Sequence, residues 1–540
     1  MKQNLLNKIV NQKISIFSWV AGFVGILITR FFLEALSSRS GSGFLAIDTS
    51  TLIHYFLFFL SFMLVFMFFL KLFVFKKNQA NLIPTLALLA FSSIFIAPII
   101  DYLYTFWSGN GLTMAYIFEG RDSILHSLLT FFGPNIHTGI TMGIRVEVAI
   151  ILLATSMLTY ILNHKLNKSF FNLIILYVLI FIFLAAPSIL SIIFSNAKNS
   201  YDVFLFFENS LRGVTSSNYL HPSLQYAGMA RFFETTFNFT MSKIFFIFSS
   251  ILASVWFYIN NRLVFKEILK NSRPERIAHY FLMILLGITL VGDRTIFGLF
   301  NWVDWLSLIV LLLSLYFSWM FAVCVNDIVD TPIDKVSNTG RPLAQGSITT
   351  EKMREGAFIF LIASIIGGFL VGIYALFFLL AFTALYYIYS APPTRFKLIP
   401  FFSSFLIGLC CLSVVLAGFF TFSPLKTSSA FEPQNAIAIV VIFFLWSHIR
   451  DMKDIDGDRE GGVPTVPIIF GNRGPMVVAI LSSLAYLLVP VFFGSWIVWP
   501  AIIASLFNYY FIMMVPYREK FVFWVYNLFI IAIASIIFLL

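Results

Sequence analysis

Charge is what this chain has least of. Among 540 residues only 11% are Asp, Glu, Lys or Arg, where a soluble domain carries about a quarter. That scarcity, with 59% hydrophobic residues and a mean hydropathy of +0.91, excludes an ordinary water-soluble globule. Cysteine is scarcer still. Cys324, Cys410 and Cys411 all lie in apolar segments, so they offer no disulfide framework and no metal-ligand spacing. They read as packing residues. No solenoid-type repeat runs through the chain. No small-residue cleavage site closely follows the first apolar run, so no cleavable signal peptide is expected. The net charge of +10 does not imply nucleic acid, because the basic residues fall mainly in short loops between apolar runs.

What the chain has in abundance is apolar length, with 67 phenylalanines as its signature. A membrane span needs about 20 apolar residues. Residues 14–36, 52–75, 82–107, 146–163, 170–194 and 241–260 qualify in the first half. Nine more runs follow at 278–299, 303–325, 356–372, 374–390, 400–421, 435–449, 475–493, 496–515 and 520–540. The fold class expected is an all-α polytopic membrane protein, integral to a lipid bilayer and assigned to the plasma membrane. Every second loop is basic, starting from Lys2, Lys8 and Lys13. The positive-inside rule then puts the N-terminus in the cytoplasm. The basic segment 261–276 is a cytoplasmic connector that divides the chain into domains at 1–260 and 261–540.

Against this background two acidic stretches stand out. In the first, Asp327, Asp330 and Asp334 follow Asn326; in the second, Asp451, Asp454 and Asp458 follow Arg450. Both have i, i+3, i+7 spacing, which on a helix gathers three carboxylates on one face. Pro332 interrupts the first, so a kink or restart is expected there. Both follow apolar helices, and counting spans puts both on the cytoplasmic side. An Asp at a helix centre costs about 2.5–3.5 kcal/mol to insert, so the clusters belong at helix ends in a cavity open to water. Like charges this crowded make sense around a divalent cation. Mg²⁺ takes oxygen ligands, usually one or two carboxylates plus substrate phosphates.

Lys335, Arg341, Arg450 and Lys453 lie beside the two stretches in sequence, and Arg395 and Lys397 lie between them. Metal on one side and Arg or Lys on the other suits a diphosphate. A site among lipid-facing helices favours a prenyl diphosphate, its head on the metal and its tail in the bundle. The first stretch continues to Arg341-Pro342-Leu343 and Gly346. Between the two acidic stretches runs Tyr389-Ser390-Ala391-Pro392-Pro393-Thr394-Arg395-Phe396-Lys397. The second ends in Gly457-Asp458, then Gly462, Thr465, Pro467 and Gly471. In this order the three motifs resemble the UbiA superfamily of intramembrane prenyltransferases, over about residues 270–540. The resemblance does not extend to residues 1–260.

The resemblance implies a nine-helix bundle, and the span count places about six further transmembrane helices before it, a departure from the family's usual form. It implies transfer of a prenyl group to a lipophilic or membrane-surface acceptor that is aromatic, tetrapyrrole-like or a glycerol lipid. Asn326, Asp327, Asp330, Asp334, Asp451, Asp454 and Asp458 would hold Mg²⁺. Asp327, Asp330, Asp454, Tyr389 and Lys397 would be catalytic. Asn326, Arg341, Ser390, Arg395, Lys397 and Arg450 would contact the substrate.

Plainer readings stand beside these. Arg341 and Lys397 also fit as ordinary positive-inside loop charges. Asp456 should face away or cap, His448 should be a satisfied interface histidine, and Pro392-Pro393 and Gly461-Gly462 should be turns. The scattered charges of the two long outer loops, from Glu119 to Glu147 and from Asp202 to Glu234, read as salt bridges and caps. The rival function is a transporter or channel with acidic cation sites. Against it, such sites tend to lie near the membrane midplane, and the accompanying Arg and Lys would repel a permeating cation.

Overall fold

The computed structural model describes residues 15–37, 48–75, 82–108, 116–133, 140–210, 212–219, 229–291 and 296–539. Among them every regular element is helical. In hydrocarbon a backbone must satisfy its own polar groups, which a helix does within one segment. Among the described residues thirteen helices are long and apolar enough to cross a membrane, six of them before residue 261. This is an integral, multi-pass membrane protein. The chain divides into two compact units, Met1–Arg212 with Pro222–Trp256, and Gly213–His221 with Phe257–Leu540.

The first unit contains helices Ile16–Ser37, Thr49–Phe69, Ile83–Phe91, Ile96–Ser108, Met142–Asn163 and Leu166–Leu184. Its interior is aromatic: Phe58 meets Phe59, Phe183 and Phe245 edge to face. The run expected as one span over 170–194 is broken at Ala185, and a second helix, Ala186–Ser195, starts with Pro187 in its first turn. Proline has no N–H for the preceding turn, so the first helix ends there. The outer-loop charges do act as caps and braces. Arg145 donates to the carbonyls of Phe131 (2.8 Å) and Gly133 (2.7 Å). Asp202 accepts from the Lys198 N–H, and Arg212 pairs with Glu208. His137, His221 and the Arg231 side chain, also in those loops, lie outside the described residues.

In the second unit we number the helices from its start: α1 (Arg262–Lys270), α2 (Pro274–Thr289), α3 (Trp302–Ser337), α4 (Thr350–Val371), α5 (Ile373–Ser390), α6 (Phe402–Phe422), α7 (Pro433–Trp446), α8 (Gly474–Phe493), α9 (Val498–Met513) and α10 (Glu519–Leu539). The run expected to span 278–299 is α-helical to Thr289, and among the described residues beyond it Ile296–Leu299 forms a 3₁₀ turn. Helix α6 is central, with 78% of its span buried. A Cβ on Gly287 of α2 would sit 2.1 Å from the Val415 carbonyl of α6, and one on Gly418 of α6 would sit 2.3 Å from the Ile284 carbonyl of α2. Close helix contact in a membrane depends on such small residues.

Helix α3 carries the first acidic motif in its last turns. It starts with a capping box in which Asn301 and Asp304 satisfy each other's backbone N–H groups. The helix does not restart at Pro332 but runs through it. Proline leaves the carbonyl of residue 328 without its usual donor. The Thr331 hydroxyl reaches back to the carbonyls of Asp327 (2.8 Å) and Ile328 (3.3 Å) and fills that role. The second motif differs from its expected form. Helix α7 ends at Trp446, a 3₁₀ segment Ser447–Lys453 follows, and a short helix Ile455–Glu460 completes the motif. Residues i and i+3 eclipse in a 3₁₀ turn. The Asp458 N–H donates to the Asp454 carbonyl (2.8 Å).

Candidate active site

One cavity, open to solvent, gathers both acidic motifs. Five carboxylates line it, Asp330, Asp334, Asp451, Asp454 and Asp458, together with five cationic side chains, Arg273, Arg276, Arg341, Lys397 and Arg450. Asn326 and Tyr389 also line it. Asp327, Ser390 and Arg395 stand just behind the wall. Asp327 is 1% exposed, Ser390 donates to Asn326 Oδ1 (3.2 Å), and Arg395 reaches Asp330 (3.3 Å). All thirteen predicted site residues therefore meet at one end of the second unit.

The two motifs are held differently. Each carboxylate of the first has a cation. Asp327 accepts from Arg273 (2.8 Å) and Arg341 (3.2 Å). Arg341 also pairs with Asp334, and Lys397 with Asp330. In the second motif no Lys, Arg or His among the described residues forms an ion pair with Asp451, Asp454 or Asp458. Asp454 accepts from Asn338 (2.8 Å), whose amide also reaches Asp334 (3.2 Å) and so ties the motifs together. Burial first, then the neighbouring Asp454 and Asp451 carboxylates, push the Asp458 carboxyl up to about 7, against the pull of Lys397. Carboxylates left in this state suit a bound cation. Among the described residues no three Asp, Glu, His or Cys side chains converge as a ready-made metal cage. Mg²⁺ rarely needs one, since it keeps waters and shares substrate oxygens.

Sequence reasoning missed part of this wall. Asn271 and Arg273, taken as connector residues, both bind Asp327. Arg273 has a left-handed backbone, φ 54°, which aims it inward ahead of Pro274. Asn338 had no motif to mark it. Glu519, the first residue of α10, pairs with Arg276 of α2 and with Lys453 (2.9 Å), next to Asp454. Arg450 lies over the Tyr389 ring at 5.5 Å. The plainer readings also find their places. Asp456 is exposed and pairs loosely with Arg459. His448 is buried and hydrogen-bonded through Nδ1 to Ser404 (3.0 Å), but its Nε2 has no partner among the described residues, so it is satisfied on one side only.

Fold and cavity together define a multi-pass membrane protein with a charged cavity at its helix ends. The profile of the UbiA prenyltransferase family matches residues 285–520. Digeranylgeranylglyceryl phosphate synthase of Methanocaldococcus jannaschii is 25% identical over 206 residues, which is 36% of this chain and 68% of that protein. Chloroplastic chlorophyll synthase of Avena sativa is 28% identical over 185 residues, 30% of this chain and 47% of that protein. A UbiA homologue from Archaeoglobus fulgidus, solved with GPP and Mg²⁺ bound, aligns over 51% of this chain and all of its own, at 16% identity and a TM-score of 0.39. Residues 285–520 thus match the UbiA prenyltransferase family, and the relatives named as synthases support a prenyltransferase enzyme.

Proposed function

We propose that this enzyme uses Mg²⁺ to move a prenyl group from a prenyl diphosphate to a lipophilic acceptor, releasing diphosphate. The observation that carries the reading is the single cavity lined by five carboxylates and five cations. A cation-only pocket would suit a bare anion, and an acid-only pocket a bare metal. The mixture suits a metal and a diphosphate together. Asn326, Asp327, Asp330, Asp334, Asp451, Asp454 and Asp458 would hold the metal. When bound, Mg²⁺ supplies positive charge to the diphosphate oxygens.

The chain's own groups do the rest. Arg341, Arg395, Lys397 and Arg450 donate to the diphosphate, and these donors take up charge as the allylic C–O bond breaks. Ser390 steadies Asn326. Tyr389 lines the space beside the reacting carbon, where an aromatic face favours developing positive charge. The acceptor's nucleophile forms the new bond to that carbon, diphosphate leaves with the C–O electrons, and the proton the acceptor gives up passes to the released diphosphate.

For the acceptor, the names of the relatives support a glycerol lipid ahead of an aromatic or tetrapyrrole-like compound. The loop charges support a cytoplasmic chamber and N-terminus in the plasma membrane. We assign the chemistry to residues 261–540, with Gly213–His221 as part of that domain's structure.

The test is purified full-length protein in nanodiscs, supplied with prenyl diphosphates of several lengths and an extracted pool of membrane acceptors. A prenylated product by mass spectrometry, formed with Mg²⁺ and absent with EDTA, is expected. Neither product nor Mg²⁺-dependent binding with any prenyl diphosphate would overturn the proposal.

A further inference from the structure

The chemistry leaves one element unused. Helix α1 begins at Arg262, two residues beyond Asn260, where the span Phe233–Asn260 ends. A helix that starts there starts at the membrane surface. None of its nine residues is buried, yet it is anchored. Val264 and Ile268 pack against the cluster of Cys324, Leu343, Ile348, Met353 and Ala357. Phe265 turns back onto Tyr258 with ring centroids 5.5 Å apart.

The opposite face is of one kind. Arg262, Lys266 and Lys270 recur every four residues and are all exposed, so they form one stripe. Leu263 (81% exposed) and Leu269 (54% exposed) flank the stripe on either side. Exposed leucines bordering three cations are out of place in water. They match a bilayer interface, where apolar groups enter the acyl boundary and cations meet phosphates.

We propose that α1 is a membrane-surface helix whose outward face docks on anionic phospholipid head groups. Charge complementarity favours this occupant, as does continuity with the membrane span just before it. An acidic protein surface would engage the cations but leave both leucines unexplained. The docking has a route to the reaction chamber, because the next residues, Asn271 and Arg273, bind Asp327. The proposal goes beyond prenyl transfer and does not rest on it.

The experiment uses full-length protein carrying Leu263→Cys, labelled with an environment-sensitive dye. Cys324, Cys410 and Cys411 are buried, so the dye goes to position 263. Discs of phosphatidylcholine are compared with discs rich in phosphatidylglycerol. A blue shift is expected in the anionic discs, reduced by salt. Each basic residue near such a surface is worth about fivefold in binding. Removing all three in Arg262→Gln/Lys266→Gln/Lys270→Gln should weaken docking on the order of a hundredfold. Hydrogen exchange of residues 262–270 in unlabelled protein, slowed only in anionic discs, would agree without the dye. A dye equally wet in both lipids would overturn the proposal. So would a dye equally shielded in both and unmoved by salt or by the triple variant, since protein would then cover the face.

Discussion

Asn338 is the residue on which the two acidic motifs depend for their mutual position, since one amide bridges Asp334 and Asp454. Asn338→Ala should leave the fold intact. It should weaken Mg²⁺ binding and turnover about tenfold or more, because a hydrogen bond to a charged group is worth about 1.5–3 kcal/mol. Titration of Mg²⁺ by calorimetry reads this directly, and unchanged affinity would mean the motifs align without it. Asp458 makes a pH prediction. Its carboxyl, raised to about 7 without metal, keeps its proton below that pH, and Mg²⁺ must displace it. Affinity should therefore climb as pH rises toward 7, by up to about tenfold per unit, and level off above, with proton release on binding below 7. Asp458→Asn should flatten the climb. A wild-type affinity that does not vary across this range would contradict the assignment.

At the scale of elements, the far end of the motif-bearing helix is held by a segment from the first half of the chain. Asp304, in the first turn of α3, is fully buried. Its Oδ1 accepts from the Thr215 N–H (2.8 Å) and hydroxyl (2.7 Å), and its Oδ2 from the N–H groups of Val214 and Asn301 (3.1 Å each). Asn218 donates to the carbonyls of Val371, at the end of α4, and Thr421, at the end of α6 (3.1 Å each). This strap ties three helices at the end away from the cavity. A fragment of 257–540 lacks it and leaves a buried carboxylate short of donors, at a cost of about 3–5 kcal/mol. Its melting temperature in detergent should fall well below that of the full chain and recover when residues 213–221 are fused back. Equal stability without the strap would contradict this. Where α2 crosses α6, Gly287→Val has no room. Overpacking costs about 1–3 kcal/mol, and lower thermal stability with unchanged secondary structure is the expected reading.

Across the whole molecule, what was legible followed local chemistry. Acidic spacing at helix ends marked the chamber, and apolar length marked the spans, because both signals lie within a few consecutive residues. What was not legible depended on contacts distant in sequence. Asn271 and Arg273 meet Asp327 more than fifty positions away, and Glu519 meets Arg276 across 243. Thr215 meets Asp304 across 89. No local pattern announces such partners, and a polar residue in a connector looks the same whether or not it turns inward. The course of the second acidic motif was likewise hidden, since its spacing fits an α-helix and a 3₁₀ turn alike.

The central claim is that both motifs serve one metal-assisted departure of diphosphate. Diphosphate release by the full-length protein, measured for wild type, Asp327→Ala and Asp454→Ala with and without Mg²⁺, tests it most directly. The account predicts Mg²⁺-dependent release that falls at least about a hundredfold in each variant, the scale of losing one charge-stabilising group. Release that survives either substitution, or proceeds unchanged in EDTA, would contradict it.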